Sequence, residues 1–124
     1  MTNAPLTPIE IGLTAAIVTM EGEEPAILVA GDGAKGEARA GLPFGAFDPL
    51  THRTFEIGLR AWVEAQTGLA VGYVEQLYTF GDRGRHARPG DTGAHVVSIG
   101  YLALTRMPEN LAALRAAGAG FEPW

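Results

Sequence analysis

The apolar residues of the chain follow two kinds of spacing, one typical of strands and one typical of a helix. Residues 9–20 are rich in β-branched side chains and predict a strand with a bulge at Gly12. Residues 26–30 are wholly apolar, as in a short strand whose two faces are both covered. Residues 73–80 and 95–104 also have strand character. The pattern therefore predicts four strands.

In residues 54–67 the apolar residues recur every three or four positions, the spacing of a helix. The apolar residues that share one face of this helix are Phe55, Leu59, Trp62 and Val63. Glu56, Arg60 and Glu64 lie four residues apart on the opposite face, where we expect ion pairs and a solvated surface rather than a metal site. Gly68 follows as the expected C-cap.

Capping residues mark the remaining helix ends. The central helix can begin after Thr51 as the N-cap, or after Asp48 with Pro49 as the first helical residue. Residues 108–117 predict a terminal helix that ends at Gly118. The predicted order is ββαββα, which indicates an α/β domain.

Composition and charge narrow the range of partners. The chain has 124 residues, 47% hydrophobic and 19% charged, as in one globular domain. Its formal net charge of −5 argues against direct binding to a nucleic-acid backbone, which needs clustered Lys and Arg. It has no cysteine, and no apolar run approaches the ~20 residues that a membrane span requires. We therefore expect a cytoplasmic protein with no membrane partner.

The two ends of the chain differ in composition from the middle. Residues 1–8 contain two prolines and predict a loose arm, and residues 9–120 form the single domain. Residues 121–124 predict a tail. Its aromatic ending is unusual for a solvated terminus, so we expect that the natural chain continues into a further domain or that the tail packs on a partner chain.

Two loops and the start of the central helix offer basic residues for an anion. The Gly-rich loop of residues 31–40 lacks the Gly-Lys-Ser/Thr ending of a P-loop and is expected to be a plain connection. Residues 81–93 hold Arg83, Arg85 and Arg88, which either contact phosphates or form a solvated hairpin loop. His52 and Arg53 precede the helix, whose N-terminus favours negative charge.

The turn before the central helix and the end of that helix resemble the signature of the Nudix family. Leu42-Pro43-Phe44-Gly45 resembles the family's Leu-Pro-Gly-Gly turn, and residues 64–69 resemble the end of its helix. Residues 75–82 and 96–104 resemble the ADP-ribose-preferring branch, which includes regulators of bacterial NAD metabolism. The resemblance covers roughly residues 10–105. It implies a Nudix-type α/β/α sandwich with a mixed, curved sheet.

The charged residues of the Nudix signature are not kept. Anchored on Gly68, its arginine and glutamate positions fall on Ala61, Trp62, Ala65 and Gln66. Nudix hydrolases hold Mg²⁺ with clustered carboxylates on this helix. Glu56 and Glu64 are eight residues apart, roughly 12 Å along the axis, and cannot readily share one ion. We therefore predict no catalytic residue, no metal site and no cofactor.

Three functions remain open at this point. The leading hypothesis is a catalytically degenerate Nudix-like domain that binds an adenine nucleotide of the ADP-ribose, NAD or ATP class. The resemblance implies that it is the sensor and dimerisation part of a transcriptional regulator, a homodimer that contacts DNA only through a domain absent from this chain. The alternative is an active Mg²⁺-dependent hydrolase of a nucleoside diphosphate derivative, with carboxylates from Glu37, Asp48 or Asp82. The third is an interaction module without a small ligand, which a collapsed groove beside residues 41–48 would favour.

Both ligand hypotheses share one set of candidate residues. Phosphates are expected to contact the arginines, and the loop of residues 42–47 is expected to wall the pocket. An exposed aromatic side chain near a strand end could stack on a base, although packing into the core is its ordinary role. The predicted ligand-binding residues are Arg53, Arg83, Arg85, Arg88, His52, Phe44, Phe47 and Tyr78.

Overall fold

The computed structural model describes residues 8–31, 40–81 and 95–124. The strands in this part of the chain are β1 (Ile9–Glu21), β2 (Glu24–Gly31), β3 (Ala40–Gly41), β4 (Phe44–Ala46), β5 (Val74–Phe80), β6 (His95–Leu104) and β7 (Ala119–Pro123). The helices are α1 (Phe55–Thr67) and α2 (Leu111–Ala116). All four predicted strands are confirmed. The sequence analysis missed β3, β4 and β7, and it placed residues 121–123 in a tail although they lie in β7.

All seven strands join one mixed sheet, in which β1 pairs with three of the others. On one edge β1 pairs in parallel with β6, from Ile9 beside His95 to Val18 beside Leu104. On its other edge it pairs antiparallel with β4 first and then with β2. Strand β5 lies outside β6, and β7 lies outside β2. The predicted mixed sheet is therefore confirmed.

The predicted bulge at Gly12 is wrong. Gly12 pairs in regular register with Ser98 on one side and Ala46 on the other. A glycine is needed there because the ring of Phe44 lies 2.5 Å from the position that a Cβ would occupy. The irregularity is in β5 instead, between Gln76 and Tyr78, where the register against β6 shifts.

Helix α1 begins later than either start predicted from its sequence. Thr54 is the N-cap: its hydroxyl accepts a hydrogen bond from Ile57 N at 3.1 Å. Neither Thr51 nor Asp48 caps the helix, because both belong to the turn that precedes it. Gly68 ends the helix as predicted, with a φ of 74°.

Helix α2 is shorter than the segment predicted from the sequence. It begins after Asn110, whose side chain accepts a hydrogen bond from Ala113 N at 3.0 Å, so Pro108 lies outside it. Gly118 follows the helix with a φ of 82°, as expected for a stop. The chain then turns directly into β7, which adds to the edge of β2.

The core lies between the sheet and α1. Leu13 and Ile17 of β1 face the helix and are fully buried, as are Leu59 and Val63 of α1. A Cβ at Gly58 would meet the Leu13 side chain at 3.0 Å, so the helix and β1 approach closely there. Within the described ranges, no helix is long and apolar enough to cross a membrane.

Candidate functional site

The face of the sheet turned away from α1 carries a groove. Residues paired across neighbouring strands project to the same side, so Phe44, Thr14, Gly100 and Tyr78 form one row across β4, β1, β6 and β5. The middle of this row is occupied by a threonine and a glycine, while both ends carry aromatic rings. The small residues in the middle and the large rings at the ends therefore leave a depression along the middle of the row.

We call the resulting depression the open-face groove. Its volume is about 370 Å³, and its lining includes Thr14, Ala16, Leu42, Leu77, Phe80 and Gly100. A Cβ at Gly100 would lie 3.5 Å from the Phe80 ring, so any larger side chain there would project into the groove. A groove of this size and character falls within the range of small-ligand sites.

Exposed aromatic rings lie at both ends of the row that crosses the open-face groove. Tyr78 and Phe80 meet edge to face with ring centroids 4.9 Å apart, and Tyr78 is 63% exposed. On the other side Phe44 lies over Gly12 and is 44% exposed. Exposed rings at the border of an apolar groove are suited to stacking on a planar ligand. Two of the predicted binding residues, Phe44 and Tyr78, thus lie on the same face.

A second depression lies beside the C-terminal half of α1, and we call it the helix-end cavity. Its volume is about 460 Å³, and its lining includes Ala30, Gly31, Leu42, Phe44, Ala65 and Gln66. Ala65 and Gln66 are the positions at which the Nudix resemblance expects paired glutamates. The lining residues carry no charge. Leu42 lines this cavity and the open-face groove, so the two depressions meet at that residue.

Trp62 and Gln66 both hydrogen-bond to the backbone of β4. Gln66 Nε2 donates to Phe44 O at 2.6 Å, and Phe44 N donates to Gln66 Oε1 at 3.3 Å. Trp62 Nε1 donates to Ala46 O at 2.8 Å, and its ring lies about 2.1 Å from where a Cβ at Gly45 would stand. The side chains at two expected metal-ligand positions therefore hold a strand.

The polar face of α1 is only partly what its spacing predicts. Arg60 and Glu56 form the expected ion pair, with Nε and Oε2 3.5 Å apart. The guanidinium of Arg60 also donates to Val71 O and Gly72 O, each at 2.6 Å. Arg60 thus ties α1 to the segment that leads into β5, a role that sequence spacing does not indicate.

Three predicted site residues lie near the start of α1, on the other side of the sheet from the groove. Phe47 packs edge to face on Phe55 with centroids 4.7 Å apart, next to the core. The backbone between β4 and the helix carries His52, which is half-buried against Gly58, and Arg53, which is exposed. The structure therefore divides the described members of the predicted site into two groups.

Asp48 organises the turn before α1. Its carboxylate accepts hydrogen bonds from the Thr51 hydroxyl at 2.7 Å and from Leu50 N at 3.0 Å. The Thr51 hydrogen bond first, then that of Leu50, hold the pKa of Asp48 below its usual value, and the nearby His52 adds to this. This carboxylate is committed to a turn and is not directed at another carboxylate.

Arg83, Arg85 and Arg88 lie outside the described residues, so their predicted phosphate contacts stay predictions. The residues that flank this segment are described. Gly81 O accepts a hydrogen bond from His95 Nε2 at 2.9 Å, which requires a proton on that nitrogen. Gly81 follows Phe80, which lines the open-face groove.

Within residues 8–31, 40–81 and 95–124, no three His, Asp or Glu side chains are close enough to hold a metal ion. Glu37 and Asp82, two of the carboxylates considered for the hydrolase alternative, lie outside these ranges. The predictions of no catalytic residue and no metal site therefore stay predictions.

Sequence reasoning missed most of the groove, although a signal was present. In residues 12–17 small residues alternate with core residues, and the small ones (Gly12, Thr14 and Ala16) share the face opposite the core. Ser98 and Gly100 repeat this pattern on β6. A strand whose one face is core and whose other face is small leaves room for a ligand, and alternation alone identifies such a face.

Comparison with known proteins gives a match in structure alone. No protein-family model matches the chain, and no curated protein matches it in sequence. The Nudix domain of Shewanella oneidensis NrtR in complex with ADP-ribose is similar, with a TM-score of 0.72 and 19% identity over 95% of this chain and 75% of that one. The Caenorhabditis elegans Ap4A hydrolase has a TM-score of 0.64 at 11% identity, over 93% of this chain and 80% of that one.

A second structure of Shewanella oneidensis NrtR shows how much of a longer protein this chain matches. It has a TM-score of 0.67 at 20% identity, and it is matched over 91% of this chain but only 51% of its own. The chain thus spans about half the length of that protein. Taken together, these similarities show that the chain has the Nudix fold, as the resemblance predicted.

Proposed function

We propose that this chain binds an adenine nucleotide of the ADP-ribose, NAD or ATP class and does not hydrolyse it. On this proposal it is the sensor and dimerisation part of a cytoplasmic transcriptional regulator of NAD metabolism. The observation that carries the proposal is the open-face groove, an apolar depression of about 370 Å³ lined by Phe80, whose ring contacts the exposed ring of Tyr78. A nucleobase stacked on one of these rings gains apolar burial and stacking, worth about 1–3 kcal/mol per base.

The helix-end cavity supports binding without chemistry. Its edge carries Ala65 and Gln66, and both polar atoms of the Gln66 amide are hydrogen-bonded to Phe44. An uncharged wall does not repel a diphosphate, whereas paired glutamates would need a Mg²⁺ ion between them and the ligand. Binding that does not depend on Mg²⁺ is therefore expected.

The regulator role is supported by the proteins that share this fold. The Shewanella oneidensis NrtR domain binds ADP-ribose, and a further structure of that protein is a complex with a 27mer DNA. Because this chain spans about half of those proteins, contact with DNA is proposed only through a domain absent from it. Trp124, which is 74% exposed, supports a second copy as a partner.

Calorimetric titration with ADP-ribose, NAD and ATP tests the ligand class. Each titration is run with and without Mg²⁺, and each endpoint is analysed for hydrolysis products. We expect binding of at least one nucleotide at equal affinity in both conditions and no product. Product that forms only with Mg²⁺ would instead establish the hydrolase alternative. No binding by any of the three would leave the interaction module, although the open groove argues against it.

Arginine substitutions test the phosphate contacts. We expect Arg53→Ala, Arg83→Ala, Arg85→Ala or Arg88→Ala to weaken nucleotide binding, because a guanidinium pairs two phosphate oxygens. Arg106→Ala, just after β6, is the matched control, since Arg106 is exposed and lines neither depression. Unchanged affinity in all four variants would reject this assignment. Sedimentation at micromolar concentration checks the dimer, and a monomer there would contradict it.

A further inference from the structure

We infer that Trp62 and Gln66 are positioning residues that hold residues 42–46, which we call the wall segment, in the place that shapes both depressions. This inference rests on the proposed function, because it assigns the two depressions to one nucleotide. It departs from the role expected at these positions, where the Nudix resemblance expects metal-binding glutamates.

The first argument is the direction of the free backbone groups of β4. Ala15 N donates to Pro43 O at 3.0 Å and Phe47 N donates to Ile11 O at 2.7 Å, so the odd-numbered residues of this segment bond to β1. Phe44 and Ala46 must then direct their N–H and C=O groups to the other edge. Those groups meet Gln66 and Trp62 rather than another strand.

Gln66 pairs with Phe44 in the manner of a neighbouring strand. Its amide donates to Phe44 O at 2.6 Å and accepts from Phe44 N at 3.3 Å, a two-point contact that fixes both separation and orientation. A methylene chain on α1, which packs on the core, carries this amide. The position of Phe44 is thereby set by the helix.

Trp62 holds the other end of the same strand. Its Nε1 donates to Ala46 O at 2.8 Å, and its indole lies so close to Gly45 that a Cβ there would overlap it at 2.1 Å. A helix residue can reach over Gly45 only because that residue has no side chain. The two contacts together fix β4 at Phe44 and at Ala46.

The wall segment borders both depressions. Leu42 lines the helix-end cavity and the open-face groove, and the ring of Phe44 is held over Gly12 on the groove side. A shift of β4 away from α1 would therefore change the width of the groove and the shape of the cavity at once. Affinity for a nucleotide should depend on the two side chains even where they do not touch it.

The contacts with β4 also exclude a metal-ligand role for Gln66 in this arrangement. Both polar atoms of its side chain are used by Phe44, and a glutamate there would place an oxygen against Phe44 O. Two acceptors at such a distance repel, because neither carries a hydrogen. Gln66→Glu therefore removes the bond to Phe44 O while keeping side-chain size, and Gln66→Met removes both bonds.

The experiment compares Gln66→Met and Trp62→Phe with the matched control Glu64→Gln, which changes one exposed group on the same helix. We measure hydrogen exchange of the backbone amides by NMR, and calorimetric affinity for ADP-ribose. We expect faster Phe44 exchange in Gln66→Met and about tenfold weaker ADP-ribose binding in both variants, with wild-type exchange of the β6 amides and ADP-ribose affinity of Glu64→Gln within about twofold of wild type.

A general loss of structure would give a different result. Equal weakening in Glu64→Gln, faster exchange of the β6 amides in Gln66→Met, or Phe44 exchange that stays at the wild-type rate in Gln66→Met would overturn the inference. If the unsubstituted protein does not bind ADP-ribose, the proposed function fails, and Phe44 exchange alone then decides whether Gln66 holds the wall segment. Trp62 emission in a Trp124→Phe background gives an independent check, since these are the two tryptophans of the chain.

Discussion

The two faces of β1 are built from alternate residues of one strand and differ in almost every respect. Toward α1 the strand presents Leu13, Ala15 and Ile17, none of them more than 2% exposed. Away from α1 it presents Gly12, Thr14 and Ala16, which are small, and the latter two line the groove. The odd-numbered residues of the strand therefore supply the apolar burial that stabilises the domain, while the even-numbered residues leave space for a ligand. Substitutions on the two faces should consequently change different measured quantities.

The largest expected effect is a loss of stability on the α1 face. Leu13→Ala should lower the free energy of unfolding by about 2–5 kcal/mol, because it removes buried methyl groups and leaves a cavity under α1. Denaturant unfolding measures this. Leu77→Ala on the groove side is the control, and since Leu77 is 55% exposed it should cost less than about 1 kcal/mol. Equal losses would contradict the division between the faces.

A second substitution tests the contact between α1 and β4. Gly45→Ala should lower the free energy of unfolding by about 1–3 kcal/mol, because the added methyl group overlaps the Trp62 ring and one of them must move. Gly41→Ala, where a Cβ meets nothing within 4 Å, is the control for the loss of a glycine. A variant as stable as wild type, with unchanged Trp62 emission, would mean that the contact is not close in solution.

Substitutions on the groove face should change nucleotide affinity rather than the free energy of unfolding. Thr14→Leu places a larger apolar side chain on the floor of the open-face groove, and we expect nucleotide affinity to fall about tenfold, equal to about 1.4 kcal/mol. The free energy of unfolding should change little. Calorimetry and denaturant unfolding are run on the same samples, with Thr14→Ser as the conservative control. Unaltered affinity would place the ligand elsewhere.

The smallest effect concerns the turn before α1. The pKa of Asp48 is lowered in the folded state, so this carboxyl stabilises the fold above its unfolded-state pKa, and that contribution is lost as the pH falls through the folded-state value. Thr51→Val removes the hydroxyl donor and should raise the pKa of Asp48 toward its ordinary value. An NMR pH titration of the Asp48 side chain measures the shift. A pKa that does not move would show that the Thr51 hydroxyl does not lower it.

The sequence predicted the parts of the fold that have long, regular spacing. The strands around Leu13 and Ile99 and the helix around Leu59 are long enough for periodicity to identify them, and Gly68 marks the end of α1. Strands β3 and β4 have only two and three residues, too few to show a repeating pattern of apolar and polar positions. They exist because β1 and β2 offer them backbone partners, which is a property of the assembled sheet.

The candidate site was less visible in the sequence than the fold, for a related reason. Phe44 and Tyr78 were proposed because aromatics near strand ends are visible in the sequence, and their roles in binding stay predictions. Phe47 was assigned to the pocket wall but packs against Phe55, since one residue of register reverses the face to which a strand residue points. The roles of Trp62 and Gln66 depend on a strand that the sequence did not reveal, so no spacing rule could have supplied them.

The parallel pairing of β1 with β6 has a consequence for how the chain acquires its structure. Ile9 lies beside His95, so the first strand cannot complete its main partnership until nearly the whole chain is present. Closing so long a loop has an entropic cost, and folds dominated by distant contacts reach the native state in milliseconds to seconds rather than microseconds. The hairpin of β1 and β2 can form early, because Glu21 and Glu24 pair across a tight turn. During synthesis on the ribosome, the exposed edge of that hairpin must therefore wait for β6 to emerge before the domain can close.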